Sequence, residues 1–363
     1  MQANSDTTHN KPLEKLLKLA RLNRLITQDE IEGVSFSATE SEALVLPMAT
    51  FQEVTFTDKV FSYVEFQQCT FLNCVFINCQ FTESQLDTCT WHACQMQETQ
   101  FNACTLTTCT FADSQLDNLA FEQCKVQRCA LTKGEINRFV FENGDWLDSA
   151  FMQVACSNVA FNKANLNNFV LNELDFDQVD MQDCTVQRGL FLKCQFKNKQ
   201  WQNLTWQACS FNNSQFSGCE FTGCQWQTNN YIGCEFTECT LRDCQLQQAL
   251  FLKAQFKKCQ FENAVLTEAN FTEATGQNTT FSGCQSDRSV WQKSIWSESY
   301  WQNCPLNFSE WSHAQISDCD LQRCDFTAAN WHQFEQNNCS LKKITKTMIR
   351  KTDKVQAMSE AVA

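Results

Sequence analysis

The chain has 363 residues, a formal net charge of −13, and only 9 Gly and 3 Pro. Because surfaces that bind nucleic acid are basic, this charge argues against direct binding of nucleic acid. No apolar run approaches the ~18 residues that a membrane span requires, which argues against a protein embedded in a membrane.

The first predicted element lies in residues 1–32, a segment that is otherwise polar. Leu13, Leu16, Leu17 and Ala20 recur at helical spacing, with basic residues between them. Because a repeat array exposes apolar surface at its ends, we expect Lys11–Ile31 to form a capping helix. Residues 1–15 lack the apolar core of a secretory signal peptide, which predicts a cytoplasmic protein with reduced thiols.

From residue 33 to residue 341 the sequence repeats every five residues. One position of each repeat holds a large apolar residue, and the position two residues earlier holds a small one, most often Cys. A helical period of 3.6 or a strand period of 2 cannot keep this spacing in phase, so the chain must turn a corner in every repeat. The large residues include Phe51, Phe56, Phe61, Phe66, Phe71, Phe76 and Phe81 early in the chain, and Trp291, Trp296, Trp301, Leu306 and Trp311 late in it.

This pattern resembles that of the pentapeptide repeat family, in which a small residue, any residue, Leu or Phe, and two polar residues recur. Cys-Thr-Phe-Leu-Asn at 69–73 and Cys-Glu-Phe-Thr-Gly at 219–223 fit it well. The resemblance implies an all-β solenoid, a right-handed quadrilateral β-helix whose square coils each contain four repeats. Large side chains then point to the axis and small ones fill the corners, with Cys in most places where the family usually has Ala. We expect short helices at both ends.

Coils of about 20 residues would stack at the ~4.8 Å spacing of hydrogen-bonded strands and place residues twenty apart in contact. Stacked aromatic rings at that distance stabilise each other by roughly 0.5–1.5 kcal/mol per pair. Two aromatic columns are therefore predicted: Phe61, Phe81, Phe101, Phe121, Phe141 and Phe161 in one, and Trp291, Trp311 and Trp331 in the other.

The repeat is least regular between residues 119 and 204. Bulky Leu119, Phe139, Phe169 and Leu204 occupy positions that are small elsewhere. The cross-section is either widened or bent there, or the sequence has simply drifted without a functional meaning.

The densest acidic stretch lies in the same region and contains Glu173, Asp175, Asp177, Asp180 and Asp183. A solvated face that keeps the protein soluble is the simpler interpretation of these charges. The sharper hypothesis is an acidic patch that recognises a partner.

The last segment, residues 342–363, lies outside the predicted repeat and begins with basic residues. Lys342, Lys343, Lys346, Arg350 and Lys351 are interspersed with apolar residues. The apolar spacing predicts a helix that caps the repeat or mediates a homodimer, with a solvated tail as the alternative. The basic side chains are candidate contacts for a partner.

The sequence predicts no catalytic centre, metal site or cofactor. Motifs such as GxxxxGK, GxGxxG, HExxH and GxSxG are missing. The 24 Cys residues follow the repeat rather than the spacing of zinc ligands, so we interpret them as small apolar residues. His313 and His332, nineteen residues apart, should lie diagonally on adjacent coils, but a metal-binding or pH-sensitive pair is disfavoured because both positions should face solvent.

These features favour a non-enzymatic rigid scaffold that binds a protein partner through its solenoid faces and terminal segments. The family resemblance implies two forms of such a protein. One is a bacterial effector or an accessory protein of a secretion system. The other is a DNA mimic that binds DNA gyrase or topoisomerase and protects it from quinolones, since a negatively charged rod suits a groove that binds DNA. Gln and Asn dilute the negative charge here, so the DNA mimic is the alternative.

Overall fold

The computed structural model describes residues 11–173, 175 and 178–361. The described residues form two compact units. The N-terminal unit contains residues 11–173 and 178–185, and the C-terminal unit contains residue 175 and residues 186–361. Each unit is a parallel β-solenoid built from short strands, so the predicted fold class is confirmed.

The N-terminal unit begins with helix α1, Lys11–Arg21. Its residues Leu16 and Ala20 are completely buried. The helix contacts the strand Leu44–Pro47. α1 therefore covers apolar surface at the start of the repeat array.

The helix predicted over Lys11–Ile31 is interrupted in the structure. Asn23 adopts a left-handed backbone with φ of 50°, and the chain then forms the short strand Leu25–Ile26. A second helix, α2, covers only Gln28–Ile31. The left-handed residue ends the helical backbone because right-handed helices require negative φ.

The strands of the N-terminal unit form four parallel stacks, one for each side of the coil. Three long strands continue around corners and so belong to more than one stack: Gln115–Glu122, Ala130–Glu142 and Ala150–Asn162. The shorter strands of the first stack are Leu25–Ile26, Thr50–Gln52, Thr70–Leu72, Thr90–His92, Thr110–Ala112 and Val170–Asn172. Those of the second are Thr55–Thr57, Val75–Ile77 and Gln95–Gln97, and those of the third are Phe36–Ser37, Val60–Ser62, Gln80–Thr82, Gln100–Asn102 and Val179–Gln182. Those of the fourth are Leu44–Pro47, Val64–Gln67, Gln85–Asp87, Thr105–Thr107, Lys125–Gln127, Asp145–Leu147 and Asn165–Asn167. The strand Thr185–Gln187 begins at the last residue of this unit.

Strands pair with a register of twenty residues, as the predicted coil requires. Phe81, for example, lies opposite Phe101 in the next coil. The first coil is longer, because Phe36 pairs with Phe61. The additional residues include the exposed Ser41, which occupies a large-residue position in the sequence pattern.

The turns of this Gly-poor and Pro-poor chain are made mostly by polar residues with a left-handed backbone. Nearly every repeat has one such corner residue; Asn73 and Asn78, for example, have φ of 52° and 50°. Its N–H donates to a carbonyl of the following coil, as Asn73 N does to His92 O at 3.0 Å. This conformation is costly for residues with a side chain, and Asn and Asp tolerate it better than most.

Each corner is filled by the small residue of the repeat. Cys74 is fully buried, and its Sγ lies 3.5 Å from Phe51 O and 3.4 Å from Leu72 O. All 24 Cys residues are free thiols, and all but Cys156 and Cys339 are buried. The interpretation of the Cys column as small buried side chains is therefore confirmed.

The predicted aromatic columns form in part. Phe61, Phe81, Phe101 and Phe121 stack with centroid distances of 4.5, 4.5 and 4.6 Å. The column then loosens, since Phe121 and Phe141 are 6.2 Å apart and tilted by 39°.

In the second column, Trp291 and Trp311 stack at 4.9 Å. Phe334 lies beside both Trp311 and Trp331, at centroid distances of 5.8 and 4.9 Å. A bulky ring at this small-residue position displaces the regular stacking at the end of the column.

The irregular region contains the long strands, and one corner there is filled by bulky residues. Leu119, Phe139, Val159 and Val179 pair in succession and are all buried. A small residue normally permits the tight corner. At this corner the backbone of Ala130–Glu142 and of Ala150–Asn162 continues as strand through the turn.

The coils of the C-terminal unit have two kinds of side. Two sides are stacks of three-residue strands: Gln195–Lys197, Gln215–Ser217, Glu235–Thr237, Gln255–Lys257, Thr275–Gln277, Ile295–Ser297, Gln315–Ser317 and Glu335–Asn337 on one, and Gln200–Gln202, Glu220–Thr222, Thr240–Arg242, Gln260–Glu262, Thr280–Ser282, Tyr300–Gln302, Asp320–Gln322 and Ser340–Lys342 on the other. Most of the other two sides consist of isolated bridges and turns, such as the turn closed by Cys234 N donating to Tyr231 O at 3.1 Å. They also contain Leu190–Leu192, Thr205–Gln207, Asn330–Trp331 and Arg350–Lys351.

The last coil extends beyond residue 341, where the predicted repeat ended. Asn330–Trp331 pairs with Arg350–Lys351. Only Lys354–Glu360 is helical, and this helix is α3. No described coil follows, so Lys346 and Lys351 can occupy large-residue positions and remain exposed. None of the described helices is long and apolar enough to cross a membrane.

Candidate interaction surface

Outward side chains of successive coils align in columns because strand pairing keeps a register of twenty residues. Asn78 Nδ2 donates to Asp58 Oδ1 at 2.7 Å, and Asn168 Nδ2 donates to Asp148 Oδ1 at 2.6 Å. These hydrogen bonds order side chains that are exposed on the outside of the coil. The result is a regular polar surface rather than an enclosed cleft.

Side chains of opposite charge lie next to each other in several columns of the C-terminal unit. Lys258 Nζ lies 2.8 Å from Glu238 Oε1, and Arg242 Nε lies 2.7 Å from Glu262 Oε2. The hydrogen bond from Lys258 lowers the pKa of the Glu238 carboxyl group. Longer pairs of the same spacing join Lys253 to Glu273 and Arg288 to Glu268, both at 3.6 Å.

One strand side of the C-terminal unit has a groove with a volume of about 440 Å³. Glu235, Lys257 and Ile295 are among the residues that line it. Ile295 is an apolar side chain at an outward position, and 51% of it is exposed. Sequence reasoning missed this residue, although an apolar residue at an outward position of the repeat was a visible signal.

Within the N-terminal unit, the described residues of the predicted acidic patch lie at different sides of the coil, because the chain turns a corner every five residues. Glu173, Asp180 and Asp183 belong to the N-terminal unit, where Glu173 follows the strand Val170–Asn172 and Asp180 lies within Val179–Gln182. Asp175 belongs to the C-terminal unit, and its carboxylate lies 3.8 Å from Lys197 Nζ. Asp177 lies outside the described residues.

The candidate basic contacts are spread around the last coil. Lys342 ends the strand Ser340–Lys342, and Lys343 follows as a left-handed corner residue with φ of 55°. Lys346 Nζ lies 5.3 Å from the centre of the Trp331 ring, within cation–π range.

Two further basic residues, Arg350 and Lys351, pair with Asn330 and Trp331. Because they belong to a strand, their side chains diverge to opposite faces of the backbone.

His313 and His332 come together with Glu360 of α3. Glu360 Oε2 lies 3.0 Å from His332 Nε2 and 3.3 Å from His313 Nε2. The expectation that both histidines face solvent is wrong for His332, which is only 3% exposed. It occupies an outward position, but α3 folds back over it. The hydrogen bond from His332 lowers the pKa of the Glu360 carboxyl group.

Each coil is square and has inward aromatic or aliphatic side chains, small residues at its corners and left-handed turns. These features define a quadrilateral β-helix of five-residue repeats. The sequence matches the profile of the pentapeptide repeat region over residues 84–155, 144–221, 214–291 and 254–331. The chain therefore belongs to the pentapeptide repeat family, as its sequence pattern predicted.

Solved structures give weaker likenesses. The structure of QnrB1, a plasmid-mediated fluoroquinolone resistance protein, aligns with 17% identity and a TM-score of 0.33 over 53% of this chain and 97% of its own. HetL, a pentapeptide repeat protein involved in heterocyst differentiation regulation from Nostoc sp. strain PCC 7120, aligns with 13% identity and a TM-score of 0.19 over 70% of this chain and 87% of its own.

A PL6 alginate lyase solved with a trisaccharide aligns with 7% identity and a TM-score of 0.33, over 90% of this chain and 88% of its own. No curated protein matches the sequence. None of these structural likenesses assigns a function to the chain.

Proposed function

We propose that this protein is a non-enzymatic scaffold that binds a protein partner through the outer sides of its β-helix. The observation that carries this proposal is the alignment of outward side chains in columns with a twenty-residue register, as in the Asn78–Asp58 hydrogen bond. Such columns give an extended surface whose side chains are ordered before binding, which lowers the entropy cost of association. A bacterial effector or secretion-system accessory protein is the specific form that the family resemblance implies.

The groove beside Ile295 is the part of this surface that best suits a protein partner. Protein interfaces place an apolar anchor in a region that polar groups surround. Ile295 is half-exposed, with Glu235 and Lys257 lining the same groove. We assign the partner to this strand side of the C-terminal unit.

The DNA-mimic alternative has less support from the same surface. A mimic needs negative charge that continues along the solenoid, as phosphates continue along DNA. In the columns that contain Glu238 and Lys258, or Arg242 and Glu262, acidic and basic side chains follow one another. These neighbouring opposite charges resemble the mixed charge pattern of a protein surface more than the continuous negative charge of DNA.

Site-specific photo-crosslinking tests this proposal. A photoreactive amino acid replaces one exposed residue in each of the four repeats of a single coil: Gln248, Lys253, Lys257 or Gln260. In the native host we expect one protein to be crosslinked most strongly from position 257, which lines the groove. Ile295→Lys should then reduce that crosslink. Background labelling at all four positions, or equal labelling from all of them, would contradict the proposal.

A further inference from the structure

Three side chains from separate parts of the C-terminal unit converge at its last coil. His313 and His332 come from neighbouring coils, with His313 N donating to His332 O at 2.9 Å, and Glu360 comes from α3. Their candidate ligand atoms all lie within 4.8 Å of one another. Among residues 11–173, 175 and 178–361, this is the one group of at least three His, Cys, Asp or Glu side chains with that geometry.

Two of the three distances between ligand atoms in this cluster match the edges of a tetrahedral metal site, and the third lies within 4.8 Å. Zinc bonds of about 2.05 Å place the ligand atoms of a tetrahedral site about 3.3 Å apart. Glu360 Oε2 lies 3.0 Å from His332 Nε2 and 3.3 Å from His313 Nε2. Two imidazole nitrogens and one carboxylate form a known ligand set for zinc.

The adjacent residue, Gln333, orients the carboxylate of this cluster. Its Nε2 donates to Glu360 Oε2 at 2.7 Å and lies 3.4 Å from His332 Nε2. Hydrogen bonds of this kind fix the direction of a metal ligand.

Binding of a cation also changes the tautomer of His332. Asp353 N donates to His332 Nδ1 at 3.1 Å, so without a metal the ring proton of neutral His332 resides on Nε2. A metal on Nε2 requires the proton on Nδ1, and the hydrogen bond from Asp353 is then lost. The beginning of α3 must adjust while its last residue, Glu360, becomes a ligand.

The position of Glu360 is consistent with a cation at this point. Glu360 is the last residue of α3, where the helix dipole disfavours an anion and favours a cation. The His332 side chain is 4% exposed, whereas those of His313 and Glu360 are 28% and 33% exposed. The site is therefore anchored in the protein and open on one side for an ion to enter.

We propose that His313, His332 and Glu360 bind one divalent transition-metal ion of the zinc type, with the fourth position open to water. The ion links α3 to two coils of the solenoid. Occupation of the site therefore stabilises the C-terminal end of the array, because the metal binds the folded form.

Cobalt titration tests the site in the full-length protein. The protein is treated with EDTA, kept reduced with a phosphine near neutral pH, and titrated with CoCl₂. We expect one equivalent to produce the visible absorption of tetrahedral Co²⁺ and ZnCl₂ to remove it. Because the ligands are nitrogen and oxygen, no thiolate-to-cobalt charge-transfer band should develop in the near ultraviolet.

Glu360→Gln and His313→Gln should each lower the cobalt affinity by roughly tenfold or more. Both change half-exposed side chains, and circular dichroism checks that the coil remains folded. The matched control is His92→Gln, which alters a histidine near Asp113 in the N-terminal unit and should leave the affinity unchanged. The proposal is overturned if visible bands fail to appear, if a thiolate band appears instead, or if both site variants bind cobalt as the wild type does.

Discussion

Trp296 occupies the space that a side chain at Gly276 would fill. The two residues are paired in adjacent coils, and a methyl group built on Gly276 would overlap the Trp296 ring. The ring instead stacks on Phe256, two coils away, at 5.8 Å and an angle of 20°. A missing side chain in one coil is thus compensated by a large one in the next.

Gly276→Ala should destabilise the protein by about 1–3 kcal/mol, the usual cost of overfilling a packed core. Urea unfolding measures the change. Thr275→Ala is the matched control, because Thr275 is an exposed neighbour in the same strand. In a Trp296→Leu background the cost of Gly276→Ala should shrink, since the smaller side chain frees the space. An equal destabilisation by Gly276→Ala in both backgrounds would show that the two positions do not share the same space.

The small residue of each corner carries hydrogen bonds as well as filling space. Ser84 Oγ accepts from Val64 N at 3.1 Å and lies 3.0 Å from Phe61 O. Ser84→Ala leaves a buried N–H without a partner, so we expect a loss of about 1–3 kcal/mol in urea unfolding. Ser84→Cys should cost less, because Cys124 Sγ accepts from Cys104 N in an equivalent corner. Equal losses for the two variants would contradict this role of the hydroxyl group.

Alkaline pH should destabilise the fold through its buried thiols. Burial raises the pKa of Cys209 and Cys234 to about 12, whereas the pKa of a thiol in an unfolded chain is about 8.5. Between these values the unfolded chain binds fewer protons than the folded chain, so stability falls as pH rises. Above about pH 8.5 each such thiol lowers the free energy of unfolding by about 1.4 kcal/mol per pH unit. Below that pH its contribution to stability is constant.

The measurement is the free energy of urea unfolding near neutral pH and at several alkaline values. Cys209→Ala should make the alkaline decline shallower by about the contribution of one thiol. A free energy of unfolding that is unchanged or that increases above about pH 8.5 would be inconsistent with thiols that are protonated in the fold.

The neighbouring opposite charges of the C-terminal unit predict that the protein has no effect on DNA gyrase. Micromolar protein added to a supercoiling assay should neither inhibit the enzyme nor relieve its poisoning by a quinolone. The reason is that basic side chains such as Lys258, which lies next to Glu238 in its column, interrupt the negative charge that a DNA mimic requires. Inhibition or protection at that concentration would restore DNA mimicry as the function.

The five-residue spacing predicted the corners and the buried columns, and the family resemblance added that four repeats close one coil. With twenty residues in a coil, Phe81 and Phe101 had to meet on adjacent coils. The same spacing could not distinguish strand sides from turn sides. Both have the same inward pattern, and they differ only in backbone hydrogen bonds such as that from Cys234 to Tyr231.

The histidine cluster shows where sequence reasoning reached its limit. The near-twenty spacing of His313 and His332 correctly placed them on neighbouring coils. Burial of His332 depends on α3 folding back, and the repeat contains no information about that contact. The acidic patch around Asp180 stays a prediction, and in the N-terminal unit Glu173 and Asp180 lie at different strand stacks because the chain turns corners between them.

The twenty-residue register underlies every proposal made for this protein, and zero-length crosslinking of the unmodified chain tests it directly. A carbodiimide joins lysine amines only to carboxylates in contact. Peptide mass spectrometry should find Lys258 joined to Glu238 and Lys253 joined to Glu273, pairs separated by 2.8 and 3.6 Å. Crosslinks from Lys258 to Glu262, the spacing of a helix, with none to Glu238, would contradict the β-helix and the surfaces derived from it.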